Sequence, residues 1–313
     1  MKILMVMDPI EDVNIFEDTS FGFALAAQAR GHQVYYCQQS DLFVHNGHGG
    51  AYAQTLAVSL TPNDFFQLGP TEEHLLREFD SVWMRKDPPV DRAYLHATHI
   101  LDLAGERTLV VNSPQGVRFA NEKLYAQTFP QFCPPTFVSR DPKRILSWAR
   151  KRDESVVVKP VDGHGGSGVF VIHQDDRNAN SIIETLTENG RRWVVTQSYL
   201  PEARDGDKRV ILLNGEVQGA IIRIPKDEDN RGNIHVGGRV EHIELNARDR
   251  EICDAVSPML VQDGLFFVGL DIIGGCLTEI NVTSPTGIRE IQSLTGVDLG
   301  DRFVRWVESR ITS

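Results

Sequence analysis

Gly269-Leu-Asp-Ile-Ile-Gly-Gly-Cys-Leu-Thr-Glu-Ile-Asn-Val-Thr-Ser-Pro-Thr-Gly-Ile-Arg289 is the stretch on which the reading of this chain turns. It has the pattern of an apolar hairpin, yet it carries Asp271, Glu279 and Asn281, which apolar strands normally exclude. Burying carboxylates is costly unless something cationic meets them. Glu279 and Asn281 are two residues apart on a strand, so their side chains share a face about 7 Å apart. Three oxygen donors on one patch suit a hard cation such as Mg²⁺, which takes carboxylates together with phosphate oxygens. A satisfied polar cluster or a salt-bridged strand end accounts for the same residues equally well.

Register separates the two accounts. A plain two-residue turn at Gly274-Gly275 pairs Ile273 with Cys276 and Asp271 with Thr278, which puts Asp271 on the face opposite Glu279. A three-residue turn or a glycine bulge shifts the pairing by one and brings Asp271 opposite Glu279, with Cβ atoms about 5 Å apart. A metal site therefore requires an irregular turn at Gly274 to Cys276.

The 313 residues are too many for one simple core and suit two or three packed subdomains. A net charge of -11 gives no basic footprint for nucleic acid and no polybasic membrane anchor. Cys37, Cys133, Cys253 and Cys276 are far apart and form no metal spacing, so they read as reduced thiols of a cytoplasmic protein. The apolar run Ile3 to Met7 ends at Asp8-Pro9, far short of a signal-peptide core, and no later segment approaches a membrane span.

The first third alternates strand and helix: a strand from Lys2 to Met7, a helix from Thr19 or Ser20 to Arg30, and a strand from Gln33 to Cys37. Further strands at Ser81 to Arg85 and Thr108 to Val111 flank a helix from Asp91 to about Ala104. That alternation predicts an open, mostly parallel sheet. Arg85-Lys-Asp-Pro-Pro89 follows a strand's C-terminal end, where such sheets bind ligands, and its two cations suit a substrate carboxylate or simple solvation.

The style changes near residue 121. Asn121 to Tyr125 reads as a short helix carrying Lys123, and strands follow at Ser155 to Lys159, Val169 to His173 and Trp193 to Gln197, with a helix from Ala179 to Glu188. Asn214-Gly215 is a hairpin signal between Lys208 to Leu213 and Val217 to Ile224. Pro225 to Gly238 is too long for a plain turn and reads as a disordered segment or a lid. A helix from Ala247 to Gln262 leads into the opening hairpin, and a last helix begins near Leu299.

Gly163-His-Gly-Gly-Ser-Gly168 satisfies G-x-G-x-x-G, but β-type sequence rather than a helix follows it, so a dinucleotide fingerprint fails. No G-x-x-x-x-G-K-[ST] occurs. A glycine loop between antiparallel strands instead resembles a flap over ATP phosphates, since Gly163, Gly165, Gly166 and Gly168, with Ser167, let backbone N–H groups approach oxygens closely. Lys159 stands just before it as a point charge for phosphate. Gln197-Ser198-Tyr199-Leu200 joins two blocks of strands and could offer hinge amides to an adenine edge, or be an ordinary strand end. Asp207-Lys-Arg209 opens one strand and Arg223 ends its partner; these two guanidinium groups suit developing phosphoryl charge. No serine or cysteine has a convincing His-Asp partner, so covalent catalysis is unsupported.

Taken in order, Met84-Arg-Lys-Asp-Pro-Pro89, Asn121-Glu-Lys123, Val158-Lys-Pro160 with the glycine loop, Asp205-Gly-Asp-Lys-Arg209 and the opening stretch through Thr286 resemble the bacterial glutathione synthetases of the ATP-grasp superfamily, over nearly the whole chain. His164 in the flap and the acidic Asp227, Glu228 and Asp229 depart modestly from that pattern. The resemblance implies an α/β (α+β) ATP-grasp fold: an N-terminal substrate domain over 1–120, a central subdomain over 121–200 and a C-terminal subdomain over 201–313. It implies ATP, γ-glutamylcysteine and glycine as reactants, with glutathione, ADP and phosphate formed through an acyl phosphate. Asp271, Glu279 and Asn281 would hold two Mg²⁺, with Mn²⁺ tolerated. Lys123, Lys159 and Asp207 would serve the nucleotide, and Arg209 with Arg223 the acyl phosphate. Arg85, Lys86, Ser284, Pro285, Thr286 and Arg289 would hold the peptide. Arg231, Gly232 and Asn233 lie in the loop from Lys226 to Gly238, which would close to exclude water. A homotetramer follows by resemblance only. The competing readings are a D-alanine or glutamate ligase on the same fold, a nucleotide sensor without turnover, and an NAD-binding protein, which requires a helix after Gly168.

Overall fold

Three sheets organise the chain in a computed structural model that describes residues 1–225 and 238–311. The first holds β1 (Lys2–Val6), β2 (Gln33–Cys37), β3 (Leu42–His45), β4 (His48–Val58), β5 (Phe66–Leu68), β6 (Glu72–Leu75), β7 (Ser81–Met84) and β8 (Leu109–Val111). Its parallel heart runs β2-β1-β7-β8, as the strand-helix alternation predicts. The alternation says nothing of residues 42–75, which extend the sheet in the antiparallel sense through β4. Asp18 caps α1 (Thr19–Ala29) by accepting from Phe21 N–H, and Asp91 caps α2 (Arg92–Leu101) by accepting from Tyr94 N–H. Ser113 caps the short α3 (Pro114–Phe119).

The second sheet is antiparallel in the order β11-β10-β12-β9, from β9 (Thr136–Ser139), β10 (Val156–Pro160), β11 (Phe170–Ile172) and β12 (Val194–Ser198). Helices α4 (Pro142–Ala149) and α5 (Ala179–Leu186) cover it and share a separate small core through Ile145, Val158 and Ile183. A strand follows the glycine loop, which rules out the dinucleotide-binding reading.

The third sheet is antiparallel in the order β15-β14-β13-β16-β17, from β13 (Asp207–Leu213), β14 (Glu216–Ile224), β15 (Arg239–His242), β16 (Phe267–Ile273) and β17 (Cys276–Asn281). Asn214 (φ 52°) and Gly215 (φ 80°) make the two-residue turn expected of Asn-Gly. Behind the sheet lies α6 (Ala247–Gln262), and α7 (Ile288–Thr295) leads to α8 (Leu299–Ile311).

The first and third sheets share their cores. Phe303 of α8 stacks on Phe23 of α1 at 4.1 Å and meets Trp83 of β7 edge-on at 5.0 Å. Buried Asn112 donates to the carbonyls of Phe267 and Val282 and accepts from the Phe266 and Phe267 amides, stitching β8 to the start of β16. The second sheet, with a core of its own, faces the third across a cleft.

Candidate active site

The β16-β17 hairpin corrects the expected irregular turn. Ile273 does pair with Cys276 across a two-residue turn, whose Gly274 (φ 56°) and Gly275 (φ 74°) meet the two positive φ values that such a turn needs. The register shifts farther in: Ile272 pairs with Leu277, but Asp271 pairs with Glu279. Thr278 is therefore the extra residue of a bulge, and its hydroxyl donates to the Asp271 carbonyl at 3.0 Å. The consequence stands, since Asp271, Glu279 and Asn281 share one face.

That face continues across the sheet. Arg209 lies opposite Asp271, and Asp207 lies opposite Arg223. Arg209 grips Asp271 with a fork, Nε at 2.6 Å and Nη2 at 3.1 Å, while its Nη1 donates to the Thr286 carbonyl at 3.2 Å. Arg223 Nη2 pairs with both Asp207 and Asp271, the latter at 3.1 Å, and Asn281 Nδ2 donates to Asp271 Oδ2 at 3.2 Å. On the β17 side Glu279 Oε1 meets Lys159 Nζ at 3.0 Å and Lys123 Nζ at 3.6 Å. Lys123 also pairs with Glu122 and donates to the Gly163 carbonyl at 2.5 Å.

Lys123 arrives by a route the sequence did not suggest. Residues 121–124 form a turn, and a short 3-10 helix begins only at Tyr125 (Tyr125–Thr128): Asn121 Oδ1 accepts from the Lys123 and Leu124 amides. The edge strand β17 has amides to satisfy, and the Glu122 carbonyl accepts from Ile280 N–H at 2.9 Å. That docking sets Lys123 beside Glu279.

Charge balance within the row sets its titration. Burial alone would raise the Asp271 carboxyl, but Arg209 and Arg223 more than offset it and hold it well below the usual range. Burial likewise acts against Glu279, and Lys123 and Lys159 overcome it, so its pKa falls. Glu122 is raised by burial and then by the Glu279 charge. Asp207 is pushed up to about 7, by burial first and then by Asp271 and Glu279, in spite of Arg223. As pH falls, the proton returning to this row goes to Asp207 because Asp271 has the better-placed guanidinium groups.

A cavity of about 430 Å³ lies between the second and third sheets, with Asp87 and Pro88 from the first domain at one end. That volume is ordinary for a small-molecule site. Its walls include Lys159, Gly165, Gly166, Gln197, Ser198, Leu200, Asp207, Arg209, Arg223, Asp271, Glu279, Asn281, Ser284, Pro285 and Thr286, all singled out above. Lys123, Gly163 and Ser167 line a small crevice that adjoins it. Gly165, Gly166 and Gly168 have φ of 62°, 76° and 73°, which turn the flap tightly. Tyr199 stands behind, its amide donating to the Ser155 carbonyl.

The remaining expected residues lie elsewhere. Arg85 is 5% exposed: its guanidinium donates to Ser20 Oγ and the Pro285 carbonyl and sits over the Phe23 and Phe267 rings, so it braces the β17 exit instead of facing the cavity. Lys86 pairs with Asp8 at 2.8 Å and points into a different cavity. Arg289 donates to Gln292 and the Ile15 carbonyl, off the cavity wall. Arg231, Gly232 and Asn233, with the rest of 226–237, lie outside the described residues. Unread in the sequence were Glu122 and the apolar walls Pro134, Val157, Val169, Ala203 and Ile273. Only the adjacency of Glu122 to Lys123 could have signalled the first. Among the described residues no three His, Cys, Asp or Glu side chains are gathered as a metal cage. Asp271, Glu279 and Asn281 offer two carboxylates and one amide, a sparse set of the kind Mg²⁺ takes when phosphates supply other ligands, with the Asp207 and Glu122 carboxylates on the same wall.

Comparison with known proteins agrees with this geometry. Residues 1–118 match the family described as prokaryotic glutathione synthetase, N-terminal domain, and residues 122–296 match prokaryotic glutathione synthetase, ATP-grasp domain. The chain belongs to the prokaryotic glutathione synthetase family. Glutathione synthetases of Synechococcus elongatus and Salmonella typhimurium are 46% and 42% identical to it, each aligned over 99% of both chains. One from Gloeobacter violaceus is 47% identical over 98% of this chain and 96% of its own. Among solved structures, a D-cycloserine synthetase superposes with a TM-score of 0.67 at 16% identity, covering 99% of each chain. A macrocyclase from Microcystis aeruginosa, solved with its precursor peptide, gives 0.67 at 13% over 99% of this chain and all of that one. At such identities these two speak for the fold alone. In a glutathione synthetase family member, the charged row and flap fall within the residues matched by the ATP-grasp domain.

Proposed function

We propose that this chain is an ATP-dependent ligase that joins glycine to γ-glutamylcysteine, releasing glutathione, ADP and phosphate. The observation that carries the reading is the meeting of Lys123 and Lys159 with Glu279 across one cavity, beside the Arg209-Asp271-Arg223 row. Cations from the flap side and carboxylates from the third sheet are what a triphosphate with a divalent ion needs between two jaws, here residues 121–200 and 201–313.

The cysteinyl carboxylate oxygen attacks the γ-phosphorus, the bond to the β–γ bridging oxygen breaks and ADP leaves. The glycine amine then attacks the acyl carbon, phosphate departs, and the amine proton leaves with it. No side chain becomes covalently attached. Burial pushes the Cys133 and Cys253 thiols up to about 11 and about 12, which suits inert rather than nucleophilic cysteines. Catalysis is then positioning and charge stabilisation. Lys123 and Lys159 would meet nucleotide phosphates, Arg209 and Arg223 the transferred phosphoryl group, and Ser284 to Thr286 the peptide. The Ser198 and Tyr199 amides are spent on Pro135 and Ser155, so contact with the adenine edge falls to Leu200.

Asp271, Glu279 and Asn281 form an all-oxygen set that fits two Mg²⁺, which would neutralise phosphate charge when bound. Both carboxylates already have cationic partners, so nucleotide arrival re-sorts existing ion pairs rather than stripping bare charges of water. The reading includes a homotetramer in the cytoplasm, the former checked by light scattering. No helix among the described residues is long and apolar enough to cross a membrane. The deciding assay is ADP release with γ-glutamylcysteine and glycine, compared with D-alanine or glutamate as acceptor. Release that requires glycine supports the reading; release driven by D-alanine or glutamate replaces it with the corresponding ligase.

A further inference from the structure

Lys123 has one acidic partner more than the chemistry above uses, and that partner is Glu122. Lys123 is 3% exposed, so protein groups rather than water must meet its charge. They are the Gly163 carbonyl at 2.5 Å, Glu279 Oε1 at 3.6 Å and Glu122 Oε1. A triphosphate drawn to Lys123 would bring acceptors of its own, and Glu279 is wanted by the metal. Glu122 has neither role, yet it is firmly placed. Its carbonyl accepts from Ile280 N–H at 2.9 Å, and Asn121 before it donates from Nδ2 to the Val161 carbonyl at 3.2 Å, at the root of the flap. Glu122 lines the catalytic cavity together with Glu279 and Asp271.

The balance of charge shows what the additional carboxylate does. At the phosphate end Lys123 and Lys159 face Glu122 and Glu279; on the third sheet Arg209 and Arg223 face Asp271 and Asp207. Cations and carboxylates therefore cancel, save for the fraction of Asp207 that carries a proton near neutrality. Such a wall has little net attraction for a bare triphosphate, whose several negative charges would lie against Glu122, Glu279 and Asp271 at short range, where like charges cost most. A triphosphate neutralised by divalent ions meets no such repulsion. Without the Glu122 charge the same wall holds one cation in excess, which favours the bare nucleotide.

We propose that Glu122 is a specificity-determining residue, whose charge makes the site accept nucleotide as its metal complex and reject it bare. The assignment rests on the ATP-dependent reading above and adds to it a residue that works by repulsion. The plainer role for Glu122 is to neutralise a buried lysine and hold it in place. The two roles differ in outcome: loss of a structural partner weakens both forms of the nucleotide alike, whereas loss of a repelling charge strengthens the bare form.

Calorimetry with ATP on the full chain, once in excess Mg²⁺ and once in EDTA, reads the difference without turnover. The wild type should bind the Mg²⁺ complex more tightly than bare ATP. In Glu122→Gln, whose amide oxygen can still accept from Lys123, the ratio of the two dissociation constants should shrink by about tenfold or more, through tighter binding of bare ATP. Glu122→Asp keeps the charge and should keep the wild-type ratio. A ratio unchanged in Glu122→Gln overturns the proposal. So does a ratio that shrinks only because the Mg²⁺ complex binds more weakly, which would make Glu122 a metal ligand, and so does a Glu122→Asp ratio as small as that of Glu122→Gln. Bare ATP held by the wild type as tightly as the Mg²⁺ complex overturns it whatever the variants do. A wild-type chain that binds ATP in neither form refutes the ligase reading and this proposal with it, whereas intact ADP release with an unchanged ratio refutes only the role of Glu122.

Discussion

Arg209→Met tests whether the guanidinium groups hold the charged row together. Asp271, only 5% exposed, accepts two bonds from Arg209, at 2.6 and 3.1 Å, one from Arg223 at 3.1 Å and one from Asn281 at 3.2 Å. Methionine keeps much of the apolar stem and removes only the fork. Removing one partner of a buried pair costs about 3–5 kcal/mol, because the other charge is left without compensation. Arg223 remains, though shared with Asp207, so the loss should fall near the lower end, about 3 kcal/mol. Urea unfolding of Arg209→Met, Asp271→Asn and the double variant measures it. The double variant should be more stable than Arg209→Met, with a coupling of about 2 kcal/mol or more. The pH dependence has a definite sign. Asp271 is depressed in the folded state, so its contribution is present above the unfolded carboxyl value of 3.8 and disappears as pH falls through the folded one. The gap between wild type and Arg209→Met should therefore narrow below about pH 4. ADP release should drop at least about 10²-fold in Arg209→Met. A stability loss under about 1 kcal/mol, or a coupling near zero, would refute the claim that the fork compensates Asp271.

Asp207 makes the opposite pH prediction: its folded pKa of about 7 exceeds the unfolded 3.8, so the folded state holds the proton more tightly and wild-type stability declines as pH rises between them. In Asp207→Asn the urea midpoint should be flatter across that window, and an identical slope would count against the shift. Lys159→Met should raise the KM for ATP roughly 10–100-fold, the worth of a charge-assisted hydrogen bond of about 1.5–3 kcal/mol, with the KM for glycine nearly unchanged. Gly116→Ala places a Cβ 2.2 Å from the Asp263 carbonyl, backbone against backbone where α3 meets the end of α6. Thermal unfolding should report a loss of about 1–3 kcal/mol there, and wild-type stability would show that this contact is loose. Chelation with EDTA should abolish ADP release, restored by Mg²⁺; turnover persisting in metal-free buffer sinks the metal assignment.

Much of the fold was legible because local rules and tertiary packing agree. Ala247 to Gln262 has its Asn246 cap and reads as the helix it forms. Asn214-Gly215 demands two positive φ values and has them. Residues 42–75 were not legible: β4 begins His48-Gly-Gly, and its strand character comes from pairing with four other strands. The α4 helix was not read, although Asp141-Pro142 is a cap followed by proline at the first helical position, with Asp141 accepting from the Lys143 and Arg144 amides.

For the site, sequence alone determined the chemistry of the side chains and their faces. Glu279 and Asn281 must project together because side chains alternate along a strand, and a catalytic metal patch required Asp271 to join them. Where the extra residue went was a tertiary decision. Gly274-Gly275 satisfied the turn, and the bulge moved to Thr278. Partner choice was tertiary as well. Arg209 reaches Asp271 across 62 residues and Lys159 reaches Glu279 across 120, distances over which strand periodicity carries no information. Arg85 and Lys86 make the point most plainly. Alternation sends neighbours to opposite sides, but only the packing of α1, β7 and the β17 exit decides that one becomes a buried brace and the other faces a separate crevice.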